Sequence, residues 1–117
     1  LYCSFAVLYS FQMRNLLKGI GQQMKWSVRD ESLHSKMGCR LFRHMCDEYP
    51  ELRDEVKDKI IKAAEIMVQM EHNFIDKIFE MGDLENLKAV DLKNFISRRA
   101  NEKLPNNIAR DKELNPN

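Results

Sequence analysis

The chain has 117 residues, 44% of them hydrophobic, which is enough apolar material for one domain with a core. Its 19 Lys+Arg nearly cancel its 18 Asp+Glu and leave a formal +1, a balance that excludes nucleic acid or an anionic membrane as an electrostatically favoured partner. The three cysteines form no CxxC pair; Cys39 and Cys46 sit about 10 Å apart along one helix, too far for a disulfide, and reduced thiols suit a cytoplasmic protein.

Residues 1–11 are apolar but lack a basic flank and a small-residue cleavage site. They are too short to span a bilayer, so neither a targeting segment nor a membrane span is expected. The chain opens in mid-pattern with no Met and no capping residue, as a piece of something longer would. A first helix is expected from upstream to about residue 17. Lys18-Gly19-Ile20-Gly21 should break it as a turn; no strand precedes these glycines and no Lys-Ser/Thr follows, so a phosphate loop is not indicated.

A second helix is expected over 22–48, ended by Tyr49-Pro50. Its inward stripe reads Met24, Val28, Glu31, His34, Gly38, Leu41, Met45, the three-four spacing of a core-facing seam. The third is expected over 51–81, with Leu52, Val56, Ile60, Ala63, Met67, Met70, Phe74 and Ile78 inward and Gly82 as C-cap. A shorter fourth, over 87–104, should bury Leu92, Phe95, Ile96 and Ala100. The short basic group of Arg98-Arg99 with Lys93 and Lys103 reads as a solvated helix face. From Pro105 the periodicity stops, and 105–117 reads as the start of a flexible tail. The seven methionines lie along core stripes as gap-fillers. The fold class is therefore all-α: a helical bundle with two complete long helices where closure needs about four.

Glu31 and His34, three apart, project from one face and interrupt an otherwise apolar stripe. A carboxylate and an imidazole in a core are costly unless paired or bound to metal. Glu-x-x-His on inward helices is the ligand pattern of di-iron carboxylate bundles. With three histidines in the chain the spacing alone is a weak signal, equally that of a core-edge ion pair in a non-catalytic helical interaction module. Asp30, four residues before His34, supplies the carboxylate that commonly fixes the tautomer of a metal-bound histidine, and on its own helix it is better aimed at a histidine of a facing one. His44 reads as exposed. His72 reads as structural, because its neighbour Glu71 diverges from it by about 100°.

The segment Arg29-Asp30-Glu31-Ser32-Leu33-His34 resembles the Arg-Asp-Glu-x-Leu-His signature of class I ribonucleotide reductase small subunits. Tyr2-Cys3-Ser4-Phe5 is similar to the family's Tyr-x-Ser-Phe segment, Arg14-Asn15-Leu16-Leu17 with Gly19 to its helix-ending pattern, Met70-Glu71-His72-Asn73-Phe74 to its Glu-containing stretch, and Asn115-Pro116 to its Asn-Pro before the tail. Leu1 stands where the family usually has Phe. Other ferritin-like di-iron oxidases and oxygenases also use Glu-x-x-His, but the Arg-Asp before Glu31 and the Leu before His34 favour the reductase.

The resemblance implies a partial ferritin-like bundle, the C-terminal half of the small-subunit fold, over 1–104, followed by the tail. It implies Glu31 as a bridging iron ligand and His34 as a terminal one, with Asp30 on the radical route to the large subunit and Arg29 holding that route's geometry. Ser4 and Phe5 would lie near the metals, Phe5 in the pocket that shields a tyrosyl radical. The cofactor implied is two irons, or a manganese–iron pair, and the partners are a second small subunit and the large subunit. The remaining ligands and the radical tyrosine would lie upstream of Leu1. Tyr2, Tyr9 and Tyr49 do not match that tyrosine's position, and Trp26 reads as a helix-interface residue.

Overall fold

A computed structural model describes residues 2–103, with Tyr2 described by its backbone alone. Four helices follow in order: α1 Tyr2–Met13, α2 Lys18–Glu48, α3 Pro50–Ile78 and α4 Ala89–Lys103. The described residues contain no strand; the one β-type contact is an isolated antiparallel bridge between Leu84 and Leu87. The all-α partial bundle expected from the periodicity is the architecture observed. The readings of Leu1, of Asn115-Pro116 and of the 105–117 tail fall outside the described residues.

The first break is not at the glycines. α1 closes as a Schellman turn, in which Asn15 takes a left-handed backbone (φ 61°) and its N–H donates to Gln12 O (2.9 Å), while Leu16 N–H donates to Phe11 O (2.8 Å). Leu17 is also left-handed (φ 47°) and starts α2, so Gly19 and Gly21 lie inside that helix. Gly21 is there for close approach: a Cβ built on it would meet Gln12 Cβ at 2.5 Å, where α1 and α2 touch. Gly21→Ala is therefore expected to lower the urea midpoint, with overpacking of about 1–3 kcal/mol exceeding the helix-propensity gain of about 1. Gly19, with nothing within 4 Å of its would-be Cβ, is the control, and Gly19→Ala should raise the midpoint. A Gly21→Ala midpoint at or above the parent's would remove the close-approach argument.

Tyr49 (φ −128°, ψ 83°) is extended, as a residue before proline prefers, and both ends α2 and starts α3. Pro50 occupies the first turn of α3, where no N–H partner is needed, and Glu51 beside it complements the helix dipole. At the other end Gly82 (φ 112°) carries the chain out of α3 after Phe79. Asp83 then accepts the Ala89 N–H (2.9 Å) through Oδ1 and fixes the entry to α4.

The core lies between α1, α3 and α4: Cys3, Val68, Ile75, Phe79, Leu92 and Ile96, with Ala6, Val7, Phe95 and Ala100 packed around them. The face expected for α4 is thus the buried one. The face expected for α3 is only partly covered, at the half-buried Leu52, Val56 and Ile60 of its first half. Its buried residues are Ile61, Val68, His72 and Ile75, followed by Phe79 just past its end, whereas Met67, Met70, Phe74 and Ile78 are exposed. The two seams lie about 140° apart round the helix. On α2 the more covered residues, Val28, Ser32, Ser35, Cys39, Phe42 and Cys46, form one seam, and the expected stripe through Glu31, His34, Gly38, Leu41 and Met45 lies exposed about a quarter-turn away. Trp26 (59% exposed) and most methionines, expected in cores and interfaces, are likewise uncovered, because no described helix packs on those sides.

The described residues form a flat, elongated body with extents of 50 × 31 × 17 Å. Its radius of gyration is 16.5 Å, against about 13 Å for a compact domain of this length.

Candidate metal centre

Glu31 and His34 stand on consecutive turns near the middle of α2, a helix held against α1 through Gly21 and against α3 through the Tyr49-Pro50 hairpin. His34 Nδ1 is 3.8 Å from Glu31 Oε1, and its Nε2 is 3.7 Å from Asp30 Oδ2. One carboxylate therefore faces each ring nitrogen. Both distances exceed hydrogen-bond length, so the three side chains are neighbours without being locked together. Their side chains are 51–66% exposed, which leaves the ring and both carboxylates open to a further group.

Asp30, expected to serve a histidine on a facing helix, lies beside the ring of its own helix's His34. Arg29 is exposed on the next position round. Ser32 turns its hydroxyl back to donate to Val28 O (2.7 Å), so it does not enter the Glu31–His34 face. Ser4 and Phe5 are half-buried on α1, next to the fully buried Cys3. Burial pushes the Cys3 thiol above its ordinary pKa, and the Glu71 carboxylate acts in the same direction. Glu71 Oε2 also accepts the Cys3 backbone N–H (3.2 Å). Among the described residues no three His, Cys, Asp or Glu side chains converge as a metal cage. The expected ligand pair is placed together, and no third ligand joins it.

The other two histidines divide as their surroundings require. His44 is exposed. His72 is 8% exposed and binds across to α4: its Nε2 is 3.3 Å from Lys93 O and 3.2 Å from Ser97 Oγ. Since the Ser97 hydroxyl itself donates to Lys93 O (2.9 Å), Nε2 is the donor to both oxygens and carries the ring proton. An ion pair between Lys93 and Asp76 extends this polar clamp. No local signal in the sequence marks it, because the partners lie 21 and 25 residues away. On α4, Arg98 and Arg99 both pair with Glu102, the solvated face expected of that basic group.

Cys39 and Cys46 form no disulfide. Among the described residues no helix is long and apolar enough to cross a membrane.

Comparison with known proteins agrees with the signature around Glu31. The family model described as "Ribonucleotide reductase, small chain" matches residues 1–110. The probable ribonucleoside-diphosphate reductase small subunit 048L of Invertebrate iridescent virus 3 is 32% identical, over 89% of this chain and 28% of its own length. The corresponding 376L protein of Invertebrate iridescent virus 6 is 30% identical, over 81% and 29%. Ribonucleoside-diphosphate reductase subunit beta of Chlamydia pneumoniae is 30% identical, over 71% and 24%. No solved structure matches the chain significantly. The chain spans less than a third of the length of the curated relatives it matches. With the family model covering nearly every residue, and Glu31 and His34 of the Arg29-to-His34 signature set on one helix face, the chain belongs to the ribonucleotide reductase small-chain family.

Proposed function

We propose that this chain is the C-terminal part of the radical-generating small subunit of a cytoplasmic ribonucleoside-diphosphate reductase, and that Glu31 and His34 are two of the ligands of its di-metal site. The observation that carries the reading is the shared face of Glu31 and His34, inside the Arg-Asp-Glu-x-Leu-His signature, in a chain matched by the family model over residues 1–110. The donor set fits the group. A carboxylate and an imidazole suit iron or manganese, and donors 3.8 Å apart are within the span of one ion with bonds of about 2 Å on each side. When bound, two irons or a manganese–iron pair supply the electrons that activate O2, and the oxidising equivalent is stored on a tyrosine.

The chain's own residues then have defined tasks. Glu31, with two carboxylate oxygens and half its side chain exposed, and His34, with one ring nitrogen, would hold the metal. Asp30 lies against the far side of the His34 ring and can hold its N–H, which orients the imidazole and gives the site a hydrogen-bonded exit. That exit is the start of the route toward the large subunit, and Arg29 holds the geometry of that route. Ser4 and Phe5 line the α1 side, where Phe5 keeps water from the radical. The partners are a second small subunit and the large subunit, in which ribonucleotides become deoxyribonucleotides.

Two ligands of six do not make a di-metal site. The 117-residue chain titrated with ferrous iron under air is expected to bind no stoichiometric pair of irons, while the polypeptide of full family length binds two. Metal analysis with the ferric absorption band reads both. A two-iron band from the short chain, or a full-length protein that takes up no iron or manganese, would end the proposal.

A further inference from the structure

We infer that the outer face of α2, through Lys18, Lys25, Arg29, Lys36, Arg40 and Arg43, is a docking surface for an acidic face of the large subunit. The choice of partner rests on the small-subunit reading of the chain; the charged face is read from α2 alone.

All the Lys and Arg residues of α2 fall on this one stripe, at spacings of seven, four, seven, four and three. At about 100° per residue they share a sector of about 60°. Every one of them is exposed. The stripe runs for about 37 Å along the axis, with Asp47 one turn beyond its far end. The face of Glu31 and His34 lies about 180° away, and the covered seam through Val28, Cys39 and Cys46 about 90° away. Whatever completes the metal site therefore approaches from the opposite side and leaves the stripe in water.

A face made only to be solvated mixes signs, because Glu and Lys four apart attract and like charges four apart repel. On α2 the pattern is the reverse. Lys25 with Arg29 and Lys36 with Arg40 are like pairs four apart, and Arg40 with Arg43 is another three apart. Among the described residues no carboxylate pairs with Lys25, Arg29, Lys36 or Arg40, whereas Arg98 and Arg99 of α4 both pair with Glu102. The helix ends are arranged the same way. Lys18 stands in the first turn and Asp47 and Glu48 in the last, the opposite of what the helix dipole favours. These cations do not stabilise their own helix. They set up a field of one sign, which steers an oppositely charged surface into register.

The occupant is a protein. The whole chain carries a formal +1, so the stripe is offset by carboxylates elsewhere, which a long polyanion following the surface would meet. A partner with a matching acidic patch engages α2 alone. Arg29 lies within the stripe, and the next residue is Asp30, the start of the proposed route toward the large subunit. Two other sides of α2 carry the covered seam and the ligand pair, so a subunit approaching that route meets the helix along its basic side.

The test uses the polypeptide of full family length and the purified large subunit. Lys36→Glu with Arg40→Glu is expected to weaken binding by at least about tenfold at low salt, chiefly by slowing association, with the difference shrinking as salt rises. Metal content and radical signal should match the parent's, since both residues face away from the site. Lys36→Gln with Arg40→Gln should shift binding in the same direction by a smaller factor, and Lys36→Arg with Arg40→Lys should bind like the parent. Lys59→Glu with Lys62→Glu, an equal charge change at exposed positions of α3, is the control and should also bind like the parent. Unchanged binding in Lys36→Glu with Arg40→Glu, or an equal loss in the control pair, overturns the inference and leaves the small-subunit reading standing. A parent that binds no large subunit at any salt overturns both. Binding of a single-stranded oligonucleotide that depends on Lys36 and Arg40, with large-subunit binding unaffected, would assign the stripe to nucleic acid and likewise overturn it.

Discussion

His34→Ala in the full-length protein is expected to abolish the tyrosyl radical signal in electron paramagnetic resonance while leaving the helical content near that of the parent. The expectation follows from where the side chain stands. In the 117-residue chain His34 touches no core residue, its side chain is 61% exposed, and its two carboxylate neighbours sit beyond hydrogen-bond distance. Removing it there should change stability by no more than about 0.5 kcal/mol, as for an ordinary surface position. In the assembled site the same change deletes the only nitrogen donor this chain offers on that face. A null effect on the short chain together with total loss of radical in the long one separates a ligand from a structural histidine. A full-strength radical signal in His34→Ala would remove it from the ligand set. His72→Ala should behave in the opposite way. It breaks the clamp to Lys93 O and Ser97 and leaves a buried gap, so it should lower the urea midpoint of both proteins.

What the sequence made legible is uneven, and the reasons are local. The number of helices, the Tyr49-Pro50 hairpin and the inward face of α4 follow from strong signals: a proline at a first turn, and a single apolar seam on a short polar helix. The first turn was assigned to Gly19 and Gly21 because glycine is the commoner breaker. Asn15, which adopts the left-handed position nearly as readily, ended α1 four residues sooner. On α3 two seams compete. Periodicity favours the longer and more continuous one, and the seam that α1 and α4 actually cover is interrupted by His72, whose polarity is satisfied only by residues more than twenty positions away. On α2 the covered seam passes through Ser32, Ser35, Cys39 and Cys46. Small and weakly polar, they let helices approach but register poorly as hydrophobic.

The candidate site was legible for a different reason. Glu31 and His34 stand out in the sequence because they interrupt an otherwise apolar stripe; among the described residues that stripe is exposed, and their role as ligands is the proposal that the surrounding signature supports. Their companions cannot be read from this stretch, since a bundle site draws its ligands from helices far apart in sequence.

The largest stability effect is expected at Ile75. Its side chain is fully buried, at 0% exposure, among Cys3, Val68, Phe79, Leu92 and Ile96, at the point where α1, α3 and α4 meet. Ile75→Ala removes three carbon atoms from a site whose walls belong to three helices, so the gap cannot collapse by the shift of one element. A destabilisation of about 2–5 kcal/mol is expected. Against the roughly 0.05–0.15 kcal/mol per residue typical of folded domains, that is a large share of what a slab of this size possesses. The urea midpoint should fall steeply with the slope unchanged. Ile66→Ala is the matched control. Ile66 lies on the same helix at 53% exposure, and its loss should be nearly neutral, since alanine's better helix propensity offsets the small area given up. If the two substitutions shifted the midpoint alike, the inner seam of α3 would not be the core.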